Sequence, residues 1–136
     1  MIKATLVLCI MLFLHVLEDF HLQGILASMK QKDWWVKQNG YNDMYKNDYR
    51  VALIAHSFEW AFIVSLPIAI RLYYASSVVA FILYVLNLIA ETFLHYEIDD
   101  SKANIKSINL VQDQLGHLAQ IIATWLIYVV AIITSI

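Results

Sequence analysis

Apolar residues in this chain come in long uncharged runs rather than in the two-residue alternation of half-buried strands, which predicts helices throughout. Residues 51–70 are uncharged apart from His56 and Glu59, and 72–90 and 114–136 carry no charge. The first run starts at residue 4 and reaches a spanning length only if it continues through His15, Glu18 and Asp19 to about Gln23. About 20 residues of helix cross the hydrocarbon of a bilayer. The pattern therefore predicts an all-α four-transmembrane-helix bundle forming a single integral membrane domain. Its helices fall at about 4–23, 51–71, 74–97 and 108–135. Gly24 reads as a helix end and Pro67 as a kink in the second span.

Composition agrees. Of the 136 residues, 61% are hydrophobic and 15% charged, against roughly 45–50% and about 25% in soluble domains. Three glycines and one proline exclude collagen and flexible low-complexity chains, and a single cysteine excludes an intrachain disulfide or a CxxC metal site. A net charge of −2 leaves no basic footprint for nucleic acid. The opening (Lys3, then an apolar run) resembles a signal peptide. It holds His15 and Asp19 and lacks a small-residue cleavage site, so it reads as a retained helix.

Cations set the expected orientation. Lys30, Lys32, Lys37, Lys46 and Arg50 lie between the first two helices, and Lys102 and Lys106 between the last two, seven of the nine in all. The positive-inside rule puts loops 24–50 and 98–110 in the cytoplasm and both termini outside. Tyr41, Tyr45 and Tyr49 recur every four residues, which suits an amphipathic interfacial helix or a stripe packed on the bundle.

All the acids and all five histidines fall at or near the same end of the predicted bundle. His15 and Asp19 are four apart, His56 and Glu59 three apart, Glu91, His95 and Asp99 successively four apart, and Asp113 and His117 four apart. Each spacing puts its side chains on one helical face. Intramembrane ionisable groups turn inward and pair, so four such faces make a cage of imidazoles and carboxylates. That is a ligand set for a divalent metal, zinc or else manganese or iron, as one or two ions. The expected ligands are His15, Asp19, His56, His95, Asp99, Asp113 and His117. Glu59 and Glu91 are candidate general bases, and Lys102, with Lys30, a candidate anion holder. Gln23 and Gln114 are candidate outer partners of the ligands. Glu18, His21, Glu97 and Asp100 read as solvated charges. The alternative is a polar core without metal, or a proton path. His15-Val-Leu-Glu-Asp19 also resembles His95-Tyr-Glu-Ile-Asp99, a weak internal repeat.

Three ordered motifs carry a resemblance over nearly the whole chain: His15-x-x-x-Asp19-Phe20-x-Leu22-Gln23, with Lys30 nearby; His95-x-x-x-Asp99-x-x-Lys102; and Asp113-Gln114-x-x-His117. With His56 opening the second span, the sequence resembles a family of small bacterial and phage membrane proteins of unknown function. That family is distantly similar to membrane-bound metal-dependent hydrolases and, through them, to zinc-dependent phospholipase C-like helical enzymes. The resemblance implies hydrolysis of a phosphoester or lipid-like substrate at the cytoplasmic face of a bacterial inner membrane. The acid-rich Asp-x-Asp stretch of those enzymes has only Asp99-Asp100 as a counterpart here, so the resemblance bears on metal binding more than on catalysis. Expected partners are the bilayer, a lipid or phosphate-containing substrate and further copies of the chain. Two other functions suit the same residues: a phage or mobile-element protein that binds or regulates a host membrane partner, and a proton or metal-ion channel or transporter subunit.

Overall fold

The structure is a computed structural model that describes residues 2–75 and 77–134. Helices form where the uncharged runs lie. They are α1 (Ile2–Leu17), α2 (Leu26–Met29), α3 (Lys32–Asn39), α4 (Asp48–Ala75), α5 (Val78–Asp100) and α6 (Leu110–Thr134), with no strand among the described residues. The long helices α1, α4, α5 and α6 close into a ring, each packed on two neighbours, in the order α1–α4–α5–α6. Among the described residues, three segments are long and apolar enough to cross a membrane: Lys3–Leu22, Asp43–Tyr74 and Val78–Ile105.

Two helices end in π turns, the first close to its expected end at residue 23 and the second beyond its expected end at 97. A π-helical turn, Glu18–Leu22, extends α1, and a second, Ser101–Ile105, extends α5. Residues 98–105, expected in a loop, are thus helical. The two π turns stand differently toward the similar His-x-x-x-Asp segments: the first contains Asp19, and the second begins two residues after Asp99. A π turn holds more residues than an α turn, which rotates successive side chains to new directions. Gly24, at φ +52°, stops the first extension, and α4 runs on through Pro67 to Ala75.

The tyrosine series 41, 45, 49 does not form one helix. Gly40 at φ +66° ends α3, Asn42 accepts a hydrogen bond from the Met44 amide, and the tyrosines fall in a bend, a 3₁₀ turn and the start of α4. Glycine and asparagine here favour a turn over the continuous helix that the spacing suggested. Tyr41 is exposed, whereas Tyr49 is buried.

The bundle is polar within and apolar without. Among the described residues, buried polar and charged side chains outnumber buried apolar ones, while Phe13, Phe58, Phe81, Phe93 and Leu126 are exposed. That inversion fits a chain solvated by lipid. The interior has two zones. Val7, Met11, Ala61, Val64, Ile68, Ile121 and Tyr128 form an apolar core toward the start of α1 and the end of α6. The histidines and acids fill the opposite end, and Trp60 lies between the zones.

Gly116 fits the close approach of α5 and α6: a Cβ built there would meet Ile98 Cδ1 at 3.0 Å. Gly116→Val is expected to cost about 1–3 kcal/mol through overpacking, read as a lower thermal midpoint in detergent. Ile98→Ala, which opens that space, should restore most of the loss in the double variant.

Candidate metal centre

Asp99, near the end of α5, is the hub of the buried cluster. Its Oδ2 lies 2.6 Å from Lys30 Nζ, 3.2 Å from His56 Nε2 and 3.7 Å from His95 Nε2, and its Oδ1 lies 3.4 Å from His117 Nε2. His56 and His95 bring their Nε2 atoms within 3.2 Å of each other. His117 Nε2 also faces Asp113 Oδ1 at 3.6 Å, and His56 Nδ1 faces Glu18 Oε1 at 3.4 Å. His56, His95, Asp99, Asp113, His117 and Glu18 are all fully buried or nearly so. Four overlapping groupings gather ligand atoms closely enough to hold a metal ion: Asp19, His95 and His117; His56, His95 and Asp99; Glu18, Asp19 and His56; and Asp99, Asp113 and His117.

The donor set fits a divalent ion on two grounds. A tetrahedral ion with bonds near 2.0–2.2 Å sets its ligand atoms about 3.3 Å apart, close to the separations at Asp99. His117 Nε2, Asp113 Oδ1, His56 Nδ1, His95 Nδ1 and both Glu18 oxygens are buried without a hydrogen-bond partner among the described residues. Buried polar atoms left unpaired are costly, and a coordinated cation is one way to satisfy atoms such as His117 Nε2 and Asp113 Oδ1.

His15 has another role than the expected one. The indole N–H of Trp60 can only donate, and it does so to His15 Nδ1 at 3.0 Å. That leaves Nε2 carrying the proton, which it donates to Gln114 Oε1 at 3.2 Å. Both ring nitrogens are engaged, and His15 stands in none of the four groupings. Gln114 passes the orientation on, donating to Asp19 Oδ2 at 2.6 Å and Asp113 Oδ2 at 3.1 Å. Trp60, His15 and Gln114 therefore form a chain that aims two carboxylates.

The candidate bases are also relocated. Glu91 is buried one turn from His95, where its carboxylate accepts from Gln120 Nε2 at 2.9 Å and Thr124 Oγ1 at 2.8 Å. Gln120 Oε1 in turn lies 3.4 Å from His117 Nδ1, so it can accept that N–H and leave Nε2 free to ligate. Glu91 thus positions His117 through Gln120. Glu59 is half-buried and belongs to none of the groupings. Glu18, expected in solvent, is fully buried beside His56: it stands three residues after His15, on the same helical face. His21 and Glu97 are exposed as expected, and half-buried Asp100 accepts a bond from Asn104.

Lysines complete the charge balance. Lys30 reaches Asp99 from the loop after α1, and Asn104 ties that loop down by donating to Lys30 O at 3.1 Å and accepting from Lys32 N at 2.7 Å. Lys102 Nζ lies 2.6 Å from Asp113 Oδ2. Farther out, Lys106 pairs with exposed Asp33 and holds its carboxyl below the usual range. A cavity of about 420 Å³ opens beside the cluster, and Asp19, Asp99, Gln23, Gln114, Lys30, Lys102 and Lys106 are in its wall.

Trp60, Gln120 and Thr124 were not expected at the site. Trp60 stands one turn after His56 and stacks on His95 at 4.2 Å between ring centres. Gln120 and Thr124 continue the His117 face at intervals of three and four. The same-face spacing was the signal for all three. Comparison with known families, curated proteins and solved structures gives no match.

His95→Ala and His117→Ala are expected to lower the metal bound at saturation. His15→Ala should keep the full amount, with affinity about 10–100-fold weaker, as for an outer partner of the ligands. Competition against a chelating dye in detergent measures both. Loss of stoichiometry in His15→Ala would make His15 a ligand after all.

Proposed function

We propose that this chain is a four-span membrane protein with a divalent metal centre, zinc the first candidate, that hydrolyses a phosphoester carried at the cytoplasmic membrane surface. One observation carries the reading: buried, unpartnered ligand atoms lie beside a cavity walled by three lysines. Carboxylates and imidazoles suit the metal, and ammonium groups suit the phosphate oxygens. α6 is the proposed fourth span, being 25 residues long with Asp113 as its one charged residue. Both long loops, with seven of the nine cations, face the cytoplasm.

The metal, when bound, lowers the pKa of a coordinated water and polarises the phosphoryl oxygen. The remaining work falls to the chain. Asp19, in the cavity wall and held by Gln23 Nε2 at 2.5 Å and Gln114 Nε2 at 2.6 Å, takes a proton from the attacking water. The water oxygen bonds phosphorus, the ester P–O bond breaks, and the leaving oxygen takes the proton from Asp19. Lys102 and Lys30 hold the non-bridging oxygens. The apolar wall on the other side of Trp60 keeps bulk water out of the bundle interior.

A second reading, ion or proton passage, has one feature in its favour. From His117 a polar line runs through Gln120, Glu91, Thr124 and Asn87 to a separate cavity of about 250 Å³. Flux in proteoliposomes without hydrolysis would select it.

Metal analysis of protein purified in detergent tests the principal reading. Stoichiometric divalent metal and chelator-sensitive hydrolysis of phosphoester lipids in mixed micelles are expected. Lys102→Ala should lower kcat/KM about 10–100-fold, the effect of losing one charge-assisted hydrogen bond of roughly 1.5–3 kcal/mol. Protein without metal, or hydrolysis indifferent to chelator, would sink the proposal.

A further inference from the structure

The geometry points to two metal ions rather than one, bridged by the two oxygens of Asp99. This inference rests on the metal reading of the site given above. Asp99 offers its oxygens to separate sets of nitrogen ligands. On the Oδ2 side stand His56 Nε2 at 3.2 Å and His95 Nε2 at 3.7 Å. On the Oδ1 side stands His117 Nε2 at 3.4 Å, which also faces Asp113 Oδ1 at 3.6 Å. Each side thus has three ligand atoms of its own: two imidazoles and a carboxylate oxygen on one, one imidazole and two carboxylate oxygens on the other. Three protein ligands leave a fourth position for water or substrate, the arrangement of catalytic sites. A carboxylate spanning two ions suits metal pairs about 3.5–4 Å apart, which clamp the attacking and leaving oxygens of a phosphoryl displacement.

The lysines supply an independent indication. Each side holds one ammonium group at 2.6 Å from a carboxylate oxygen: Lys30 on Asp99 Oδ2, and Lys102 on Asp113 Oδ2. Two cations are already drawn to two places in the cluster, and unpartnered His117 Nε2 and Asp113 Oδ1 converge at the second. Glu18, Asp19, Asp99 and Asp113 carry four negative charges when ionised. Two divalent ions balance those four charges. Lys30 and Lys102 are then free to turn into the cavity whose wall they already form, and together they match a phosphate dianion. With a single ion, charge balance keeps both lysines on the carboxylates and leaves none for the substrate. The two-ion centre therefore accounts for metal binding and anion recognition with the same residues.

The test is metal stoichiometry of the full chain in detergent, loaded with Mn²⁺, freed of excess and analysed by mass spectrometry and electron paramagnetic resonance. Wild type should hold two ions per chain with the broadened signal of an exchange-coupled pair. His56→Ala and Asp113→Ala, which each remove a ligand from one side only, should hold one ion with an uncoupled six-line signal. Wild type saturating at one uncoupled ion overturns the pair while leaving the single-metal hydrolase intact. Two ions without coupling overturn the Asp99 bridge. Protein that binds no metal removes both this inference and the hydrolase reading. Because the wild-type spectrum decides the matter, the inference survives or fails even if a variant does not fold.

Discussion

Carboxylates enclosed in a helical bundle with an apolar exterior must be neutralised where they stand, since removing an ionised group from water costs several kcal/mol even after relaxation. Asp99 concentrates that constraint: it is almost fully buried and in reach of one lysine and three imidazoles. Much of the polar end of the fold answers it. The loop after α1 folds back so that Lys30 arrives from 69 residues away, and Asn104 fixes that loop to the π turn after α5. Gly116 lets α6 approach α5 closely at the turn that presents His117. Trp60 closes the other side of the cluster with a flat ring against His95 and a single N–H for His15.

The two π turns express the same constraint in the backbone. In a helix the residues three and four on from a given position both lean to its face, one to either side. After His15 the chain needs both Glu18 and Asp19 directed inward, one toward His56 and the other toward Gln114. The π turn Glu18–Leu22 begins at this pair. At the end of α5 the wider turn Ser101–Ile105 carries Lys102, which reaches Asp113, and Asn104, which reaches the Lys30 loop. Such turns recur at functional sites because they redirect side chains without breaking the helix.

Periodicity disclosed the helical class, the long helices and the faces on which His56, His95, Asp99, Asp113 and His117 meet. Those features depend on spacing within a helix, which sequence carries directly. What it hid depended on other things. His15 has the same i,i+4 relation to Asp19 that His95 has to Asp99, yet its nitrogens are taken by Trp60 and Gln114 from two other helices. Glu18, expected in solvent, stands three residues after His15 and continues the buried line of Val7, Met11 and His15, a spacing that the His15/Asp19 pair overshadowed. Glu91 looked like a base because it precedes His95 by one turn, but its oxygens are held by Gln120 and Thr124 across the α5–α6 contact. The tyrosine series failed for a local reason, the turn at Gly40 and Asn42.

One set of cations serves two ends. Lys30 and Lys102 are among the seven that give the loops their positive bias, and they are also the two that reach the buried carboxylates. In the proposed orientation those roles cannot be separated. A cluster of acids at the opposite end would have only Lys3 and Arg71 within the same stretch of sequence. Its own carboxylates would then lack nearby ammonium partners, and the apolar zone around Ile68, Ile121 and Tyr128 offers no substitute. The site thus sits where the chain's cations already gather, and the asymmetry of the bundle follows from pairing buried acids with the loops that orient it.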